Sequence, residues 1–334
     1  PQTWTKEVIA EYQRHSDYVR YSQLAEEFCS KMTPEQIAFH DEIIDYILWK
    51  PEAGPIPISK FPKFLDGKAG RGKTFLINAI CHSIRAAKKI ILPCGTTALA
   101  ALLYEGGRTA HSLFRMPVEE NNVNVQSTIR YHSNRADLIR ESMLIIWDEL
   151  PMANKAVLEG VDLLLRQICN KDEPFRGKPF IGAGDFRQVA PIVKGAGKSA
   201  TIDASIKTSY LWTYFDKYTL HQPIRNANDP GFSEFVDSIG NNWQESEVSL
   251  EIFETTHDIK KAISFLYPKN SLTDFNALQT RAFLSPRNIL VDDFNSRILN
   301  NLQGTVHTYF SYDVVKENDE ILYDHTIATP DYLA

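Results

Sequence analysis

Gly67-Lys68-Ala69-Gly70-Arg71-Gly72-Lys73-Thr74 fits the pattern GxxxxGK[ST]. An apolar run containing Phe64 and Leu65 leads into it, and a helix-forming stretch, Phe75–Ile80, leads out. In a strand–loop–helix setting the glycines let the backbone wrap phosphate oxygens with N–H groups, at the positive end of a helix. Gly67 to Thr74 therefore reads as an ATP-binding loop. Within it Lys73 is expected to reach the β- and γ-phosphates, and the Thr74 hydroxyl to ligate Mg²⁺. The bland alternative is a glycine-rich turn that matches by chance; the flanking strand and helix argue against it.

Moving outward, short apolar runs alternate with helical stretches. The runs are Lys63–Asp66, Ile90–Pro93, Met143–Trp147 and Pro179–Ala183. Thr74–Ala87 and Asn154–Ile168 read as helices, the latter with Val157, Leu158, Val161, Leu164, Leu165 and Ile168 on one face. Such alternation implies an α/β fold, a parallel sheet with helices on both faces. Upstream, Thr33-Pro34-Glu35-Gln36 starts a helix: Thr33 caps it, Pro34 suits its first turn, and Gln36 completes a capping box. Ile37, Ile44, Ile47 and Leu48 are expected to form its apolar stripe, and residues 1–30 a weak helix or an extended N-terminal arm. Residues 51–62 read as a loop.

Two further motifs follow apolar runs. Met143-Leu144-Ile145-Ile146-Trp147-Asp148-Glu149 delivers two carboxylates at the end of a strand, where open α/β sheets bind ligands. Asp148 is expected to hold Mg²⁺ and Glu149 to orient or deprotonate the attacking water. Alone, such a pair is usually a solvated turn; downstream of a phosphate loop it is the expected partner. Gly184-Asp185-Phe186-Arg187-Gln188 offers Gln188 as a sensor of the γ-phosphate or its water, against a simple strand-to-loop turn.

Composition sets outer bounds. The chain has 334 residues, 43% hydrophobic and 23% charged, enough for one large or two medium domains. A net charge of −6 argues against coating nucleic acid by charge alone, while leaving room for a local single-strand groove. The cysteines Cys29, Cys81, Cys94 and Cys169 are scattered singly, as buried or free thiols are, without zinc-ligand spacing. No run approaches the roughly 18 apolar residues of a membrane span.

Taken together, the loop, Trp147-Asp148-Glu149 and Gly184-Asp185-Phe186-Arg187-Gln188 resemble superfamily 1 DNA helicases of the PIF (petite integration frequency) type. Thr96–Ala101 with Gly106-Gly107-Arg108-Thr109-Ala110-His111-Ser112-Leu113-Phe114, and Arg281-Ala282-Phe283-Leu284-Ser285-Pro286-Arg287-Asn288, narrow the likeness to the helicase portion of Helitron rolling-circle transposons. The resemblance implies a RecA-like P-loop NTPase, and an ATP hydrolase that moves 5′-to-3′ on single-stranded DNA with Mg²⁺. It implies a first motor domain over 31–215, with a small strand-separating insertion at about 115–140, and a partial second RecA-like domain over 216–334. In that second part a strand bounded by Leu284–Asn288 and Ile289–Val291, then a helix over Asp292–Leu302, are expected.

The same resemblance implies that Gln36 reads the adenine edge, in competition with its capping role. It implies that Arg225 reaches the γ-phosphate from the second domain, with Gln222-Pro223-Ile224 departing from the usual run before it. His111, Ser112 and Phe114 would touch DNA, with ordinary core as the alternative for Phe114. Lys68 and Arg71 stand where the family usually shows Pro or Gly, and Thr or Ser. Past Thr329-Pro330-Asp331-Tyr332-Leu333 the family continues into the rest of its second motor domain, so weak or absent unwinding is expected of this chain. Nuclear location and roles in DNA repair, recombination and telomere maintenance are family associations, and protein partners are unspecified. The rival readings are a transposon-derived remnant that binds nucleotide or DNA without motor activity, and a small-molecule kinase.

Overall fold

Five apolar or edge segments line up beside the strand that carries the loop. The computed structural model describes residues 5–308 apart from 51–58, 118–124, 171–172, 189–190, 192, 194–196, 242–246, 269–274, 303–304 and 306. The strands are β1 (Lys63–Gly67), β2 (Ile91–Gly95), β3 (Arg108–Thr109), β4 (Leu144–Asp148), β5 (Phe180–Gly184) and β6 (Asp216–Leu220). They form one sheet of order β3-β2-β4-β5-β1-β6, with every pairing parallel. Four of them begin and end within about two residues of the apolar runs read from sequence, because burial on both faces makes each run apolar throughout.

Side chains alternate between the two faces. Leu65, Ile91, Leu144, Ile146, Ile181 and Ala183 lie in one cluster with α3 (Pro34–Ile47) and α4 (Lys73–Ala86). Phe64, Leu92, Ile145, Trp147 and Phe180 lie in the other. That second cluster also takes in side chains from α1 (Lys6–Arg14), α6 (Ala110–Phe114), α7 (Asn134–Glu141) and α8 (Lys155–Cys169), where all six apolar residues expected on one face are buried. The remaining helices of this part are α2 (Tyr18–Ser30), α5 (Ala98–Ala101), α9 (Lys198–Ala204) and α10 (Pro230–Asn241). Among the described residues, no helix is long and apolar enough to cross a membrane.

Several expectations are corrected. Of the two readings of residues 1–30, the helical one holds over 5–30, as two packed helices and not an extended arm. Asp17 caps α2 by accepting from Arg20 N at 3.0 Å, and α2 lies on α4 through Phe28 stacked on Phe75 at 4.7 Å. The buried stripe of α3 is Phe39, Ile43 and Ile47, while Ile37 is exposed. In the expected insertion Arg135 is buried: its Nε contacts Glu7 at 2.5 Å and its guanidinium donates to the carbonyls of Ser112 and Leu113. That ties α1, α6 and α7 together. Residues 51–58, 118–124 and the segment around Thr329–Leu333 lie outside the described residues.

The chain divides into two units, one running to Gly240 and one starting at Asn241. Residues 216–240, expected in the second domain, thus belong to the first. The reason is β6, whose residues from Asp216 to Leu220 pair in register with Lys63 to Gly67. The second unit contains α11 (Ile259–Leu266), α12 (Phe275–Gln279) and α13 (Asn288–Leu299). Ile289–Val291, expected beside a strand, form the first turn of α13, and among its described residues this unit has no strand. Phe294 on α13 is buried and stacks on Phe283 at 4.1 Å.

Candidate active site

The loop between β1 and α4 is shaped by its glycines. Gly70 and Gly72 take φ of +74° and +81°, in the left-handed region that side chains avoid. Space forbids a side chain as well. A Cβ on Gly72 would lie 2.5 Å from Gln36 Nε2, and one on Gly70 2.9 Å from Arg225 Cβ. Gly72 caps α4, so Lys73 and Thr74 open that helix and its unpaired N–H groups face the loop. Lys73 is buried and donates to Gly67 O at 2.5 Å and Lys68 O at 3.4 Å. Burial pushes its pKa down, opposed by the carboxylates of Glu149, Asp148, Asp185 and Asp66.

Those carboxylates come from the neighbouring strand ends. Asp148, the last residue of β4, accepts from the Tyr104 hydroxyl through Oδ2 and from Glu149 N at 2.9 Å through Oδ1. Burial raises its pKa, with Tyr104, Glu149 N and Lys73 pulling the other way. Glu149 sits at φ +54°, a strained conformation for a side chain that is not glycine. Thr96 holds it there. Its hydroxyl donates to Glu149 O at 2.7 Å and accepts from Trp147 Nε1 at 2.9 Å, while Thr96 N donates to Asp148 O at 3.1 Å. Burial, then the Asp148 charge, raises the Glu149 pKa above the ordinary 4.5, which makes it a stronger base near neutral pH.

At the end of β5, Asp185 is buried and accepts from Arg187 Nε at 2.8 Å and Arg187 N at 3.1 Å. Gln188 N closes that turn onto Asp185 O at 3.2 Å, and the Gln188 side chain is exposed. After β6 the chain passes over the loop: the N–H groups of Ile224 and Arg225 both donate to Gly70 O at 3.0 Å. His221 N and Gln222 N donate to Glu35 Oε2 at 2.9 and 3.3 Å, so Pro223 falls between two pairs of used donors. Further on, Asp237 of α10 pairs with Lys68 at 2.7 Å and Arg71 at 2.8 Å. Its slight burial would raise its pKa, but those two cations and Arg187 hold it below the usual carboxylate value.

A family model described as PIF1-like helicase matches residues 31–246. The chain belongs to the PIF1-like helicase family. It is 27% identical over 259 residues to the ATP-dependent DNA helicase PIF1 of Candida albicans, covering 75% of this chain and 27% of that protein. It is 31% identical over 175 residues to the ATP-dependent DNA helicase Pif1 of Campylobacter jejuni, covering 49% and 37%. The chain thus spans between about a quarter and two-fifths of these relatives. The crystal structure of Pif1 helicase from Candida albicans shares the fold, with a TM-score of 0.55 at 20% identity over 82% of this chain and 55% of that one. So does Pif1 helicase from Bacteroides in complex with ADP-AlF3 and single-stranded DNA, with a TM-score of 0.52 at 22% identity over 72% and 54%. The fold is that of RecA-like helicase motor domains.

The structure gathers Gly67–Thr74, Asp148, Glu149 and the turn bearing Gln188 at the carboxyl ends of neighbouring strands. Gln36 does complete the capping box, with Thr33 N donating to its Oε1 at 3.0 Å, and its Nε2 also donates to Gly72 O at 3.3 Å. It therefore braces the phosphate loop directly. Arg225 belongs to the first unit, not the second. Phe114 is fully buried with its ring 6.0 Å from Trp147, so it is core and offers no stacking surface. His111 and Ser112 are half-buried, and burial lowers the His111 pKa, leaving it a neutral hydrogen-bonding group near pH 7. Tyr104, Thr96 and Asp237 were not expected. Thr96 lay in a segment marked only by resemblance, and nothing local to Tyr104 or Asp237 signals its partners.

Proposed function

We propose that this chain is the nucleotide-binding part of an ATP-dependent DNA helicase, coupling hydrolysis of Mg²⁺-bound ATP to movement on single-stranded DNA. One observation carries the reading: two distant motifs, Gly67–Thr74 at the end of β1 and Asp148-Glu149 at the end of β4, lie at the same end of one parallel sheet, where the charges of Asp148 and Glu149 act on Lys73. The loop N–H groups and the α4 N-terminus would hold the phosphates, with Lys73 turning from Gly67 O to the β- and γ-oxygens. Thr74 and Asp148 supply hard oxygen ligands, a donor set that fits Mg²⁺; the ion would neutralise charge on the β- and γ-phosphates. Glu149 takes a proton from water as the water oxygen bonds to the γ-phosphorus and the bond to the bridging oxygen of ADP breaks. Gln188 would bond the γ-phosphate or that water, and Arg225 would stabilise charge spreading on the transferred group.

The Bacteroides relative's complex with ADP-AlF3 and single-stranded DNA supports the same ligands here. His111 and Ser112, half-buried beside the buried Phe114, are the residues of the segment assigned to DNA that are left to touch it. Movement 5′-to-3′, a place beside the Helitron helicases, Gln36 next to the adenine, a partial second RecA-like domain (its expected start at 216 moved to Asn241), and nuclear work in repair, recombination and telomere maintenance complete the proposal.

The test is the ATP turnover rate of the purified chain with and without single-stranded DNA. Stimulation by DNA supports the motor. Unstimulated turnover favours a small-molecule kinase, and no turnover with retained nucleotide binding favours a non-motor remnant.

A further inference from the structure

Tyr104 lies in the turn between α5 and β3, far in sequence from the motif that it touches. Its ring is 3% exposed and belongs to the cluster containing Leu76, Ile77, Ile146 and Ala183. The turn holds it by its backbone: Tyr104 N donates to Ala101 O at 3.2 Å and Gly107 N to Tyr104 O at 2.9 Å. Gly107 is needed there, since a Cβ would stand 2.2 Å from Ala101 O. The phenol is thus fixed before any ligand arrives.

Its hydroxyl donates to Asp148 Oδ2. A phenol has one proton to give, and here a carboxylate oxygen receives it. Asp148 Oδ1 accepts from Glu149 N at 2.9 Å, so both carboxylate oxygens are held. Each keeps a further lone pair for a cation, and Tyr104 decides which way Oδ2 presents its own.

We propose that Tyr104 is a positioning residue for the divalent cation of the bound nucleotide, orienting the Asp148 carboxylate through its hydroxyl. The proposal rests on the nucleotide reading above. It concerns orientation of the ligands, and Tyr104 itself touches neither metal nor phosphate. Partners that orient metal ligands typically contribute about 10- to 100-fold in metal affinity.

The test uses Tyr104→Phe, which keeps the ring and removes the hydroxyl that Asp148 accepts from. ADP affinity is measured with Mg²⁺ and with EDTA, and Mn²⁺ affinity of the nucleotide complex by electron paramagnetic resonance. The variant is expected to bind ADP in EDTA within about twofold of the parent, and to lose about 10-fold or more of the gain that Mg²⁺ brings, with Mn²⁺ binding weakened alike. A matching rise in the Mg²⁺ concentration for half-maximal turnover, with turnover recovered at saturating Mg²⁺, separates positioning from general damage. Asp148→Asn supplies the second arm: Tyr104→Phe added to it should bring much less further loss than it does alone. An unchanged Mg²⁺ gain in Tyr104→Phe overturns the proposal while leaving the nucleotide reading intact. Absence of ADP binding by the parent chain in both conditions overturns both.

Discussion

The two sides of the site are built from different materials. On the loop side the work falls to backbone: two glycines at positive φ, a helix start, and Gly70 O receiving two N–H groups from the chain after β6. Side chains there matter mainly where they touch the glycines, as Gln36 and Ile224 do at Gly72. On the carboxylate side everything depends on side chains. Asp148 is aimed by Tyr104 and Glu149 by Thr96, both from turns distant in sequence, and Thr96 is held in turn by Trp147 of β4. The difference teaches that binding and chemistry can be damaged separately. Charge is tolerated at Lys68 and at the buried Arg71 because both pair with Asp237, whereas a single methyl at Gly72 does not fit.

The largest effect is expected on the loop side. Gly72→Val puts a β-branched residue at φ +81° and into Gln36 Nε2 and Ile224 Cδ1. Fluorescent-nucleotide titration should show affinity lost by about 100-fold or more, some 3 kcal/mol. Parent-like binding would mean that the loop is not the phosphate site. On the other side, Thr96→Val keeps the shape but strips the hydroxyl between Trp147 Nε1 and Glu149 O. A buried group left unpaired costs about 1–3 kcal/mol. Turnover should fall about 10-fold with nucleotide affinity nearly unchanged; a loss of affinity instead would dissolve the distinction between the sides.

Asp237→Asn is a milder probe. Partly exposed pairs are worth about 0.2–1 kcal/mol, so freeing Lys68 and Arg71 should tighten triphosphate binding by about twofold to fivefold at low salt. Weaker binding would show that Asp237 supports the loop and does not compete with phosphate. The smallest effect concerns α4, which carries the loop's helix start at one end and His82 in its body. His82 is buried between Tyr21 and Phe28. Burial, helped by Arg85, pushes its pKa down to about 4 from 6.5. The unfolded chain therefore takes up a proton at a pH where the folded one does not, and stability is lost as pH falls from about 6.5 towards 4. Thermal melting should fall less steeply across that window in His82→Phe than in the parent chain. Equal slopes would show that His82 is protonated as readily in the folded chain.

The strands β1, β2, β4 and β5 are legible in the sequence because burial on both faces leaves short, wholly apolar runs between turn residues. β3 and β6 are not. Arg108–Thr109 is too short to show a pattern, and β6, Asp216–Leu220, is an edge strand with Asp216 and Lys217 exposed. Losing β6 moved the expected domain boundary upstream of where the chain divides. The phosphate loop and Asp148-Glu149 are legible for a local reason: each packs its chemistry into one contiguous stretch. Tyr104 and Thr96 act only through contacts with residues distant in sequence, so no local pattern marks them. Phe114 misled in the opposite way, since an aromatic beside polar residues looks the same whether it faces DNA or packs on Trp147.

The separation of binding from chemistry is tested most directly on Glu149→Gln, measuring Mg²⁺-ATP affinity and single-turnover hydrolysis on one preparation. The geometry predicts affinity within about twofold of the parent and hydrolysis slower by about 10²- to 10⁴-fold, the usual worth of a positioned base. Hydrolysis at the parent rate, or affinity falling in step with it, would contradict the assignment of Glu149 to the chemical side of the site.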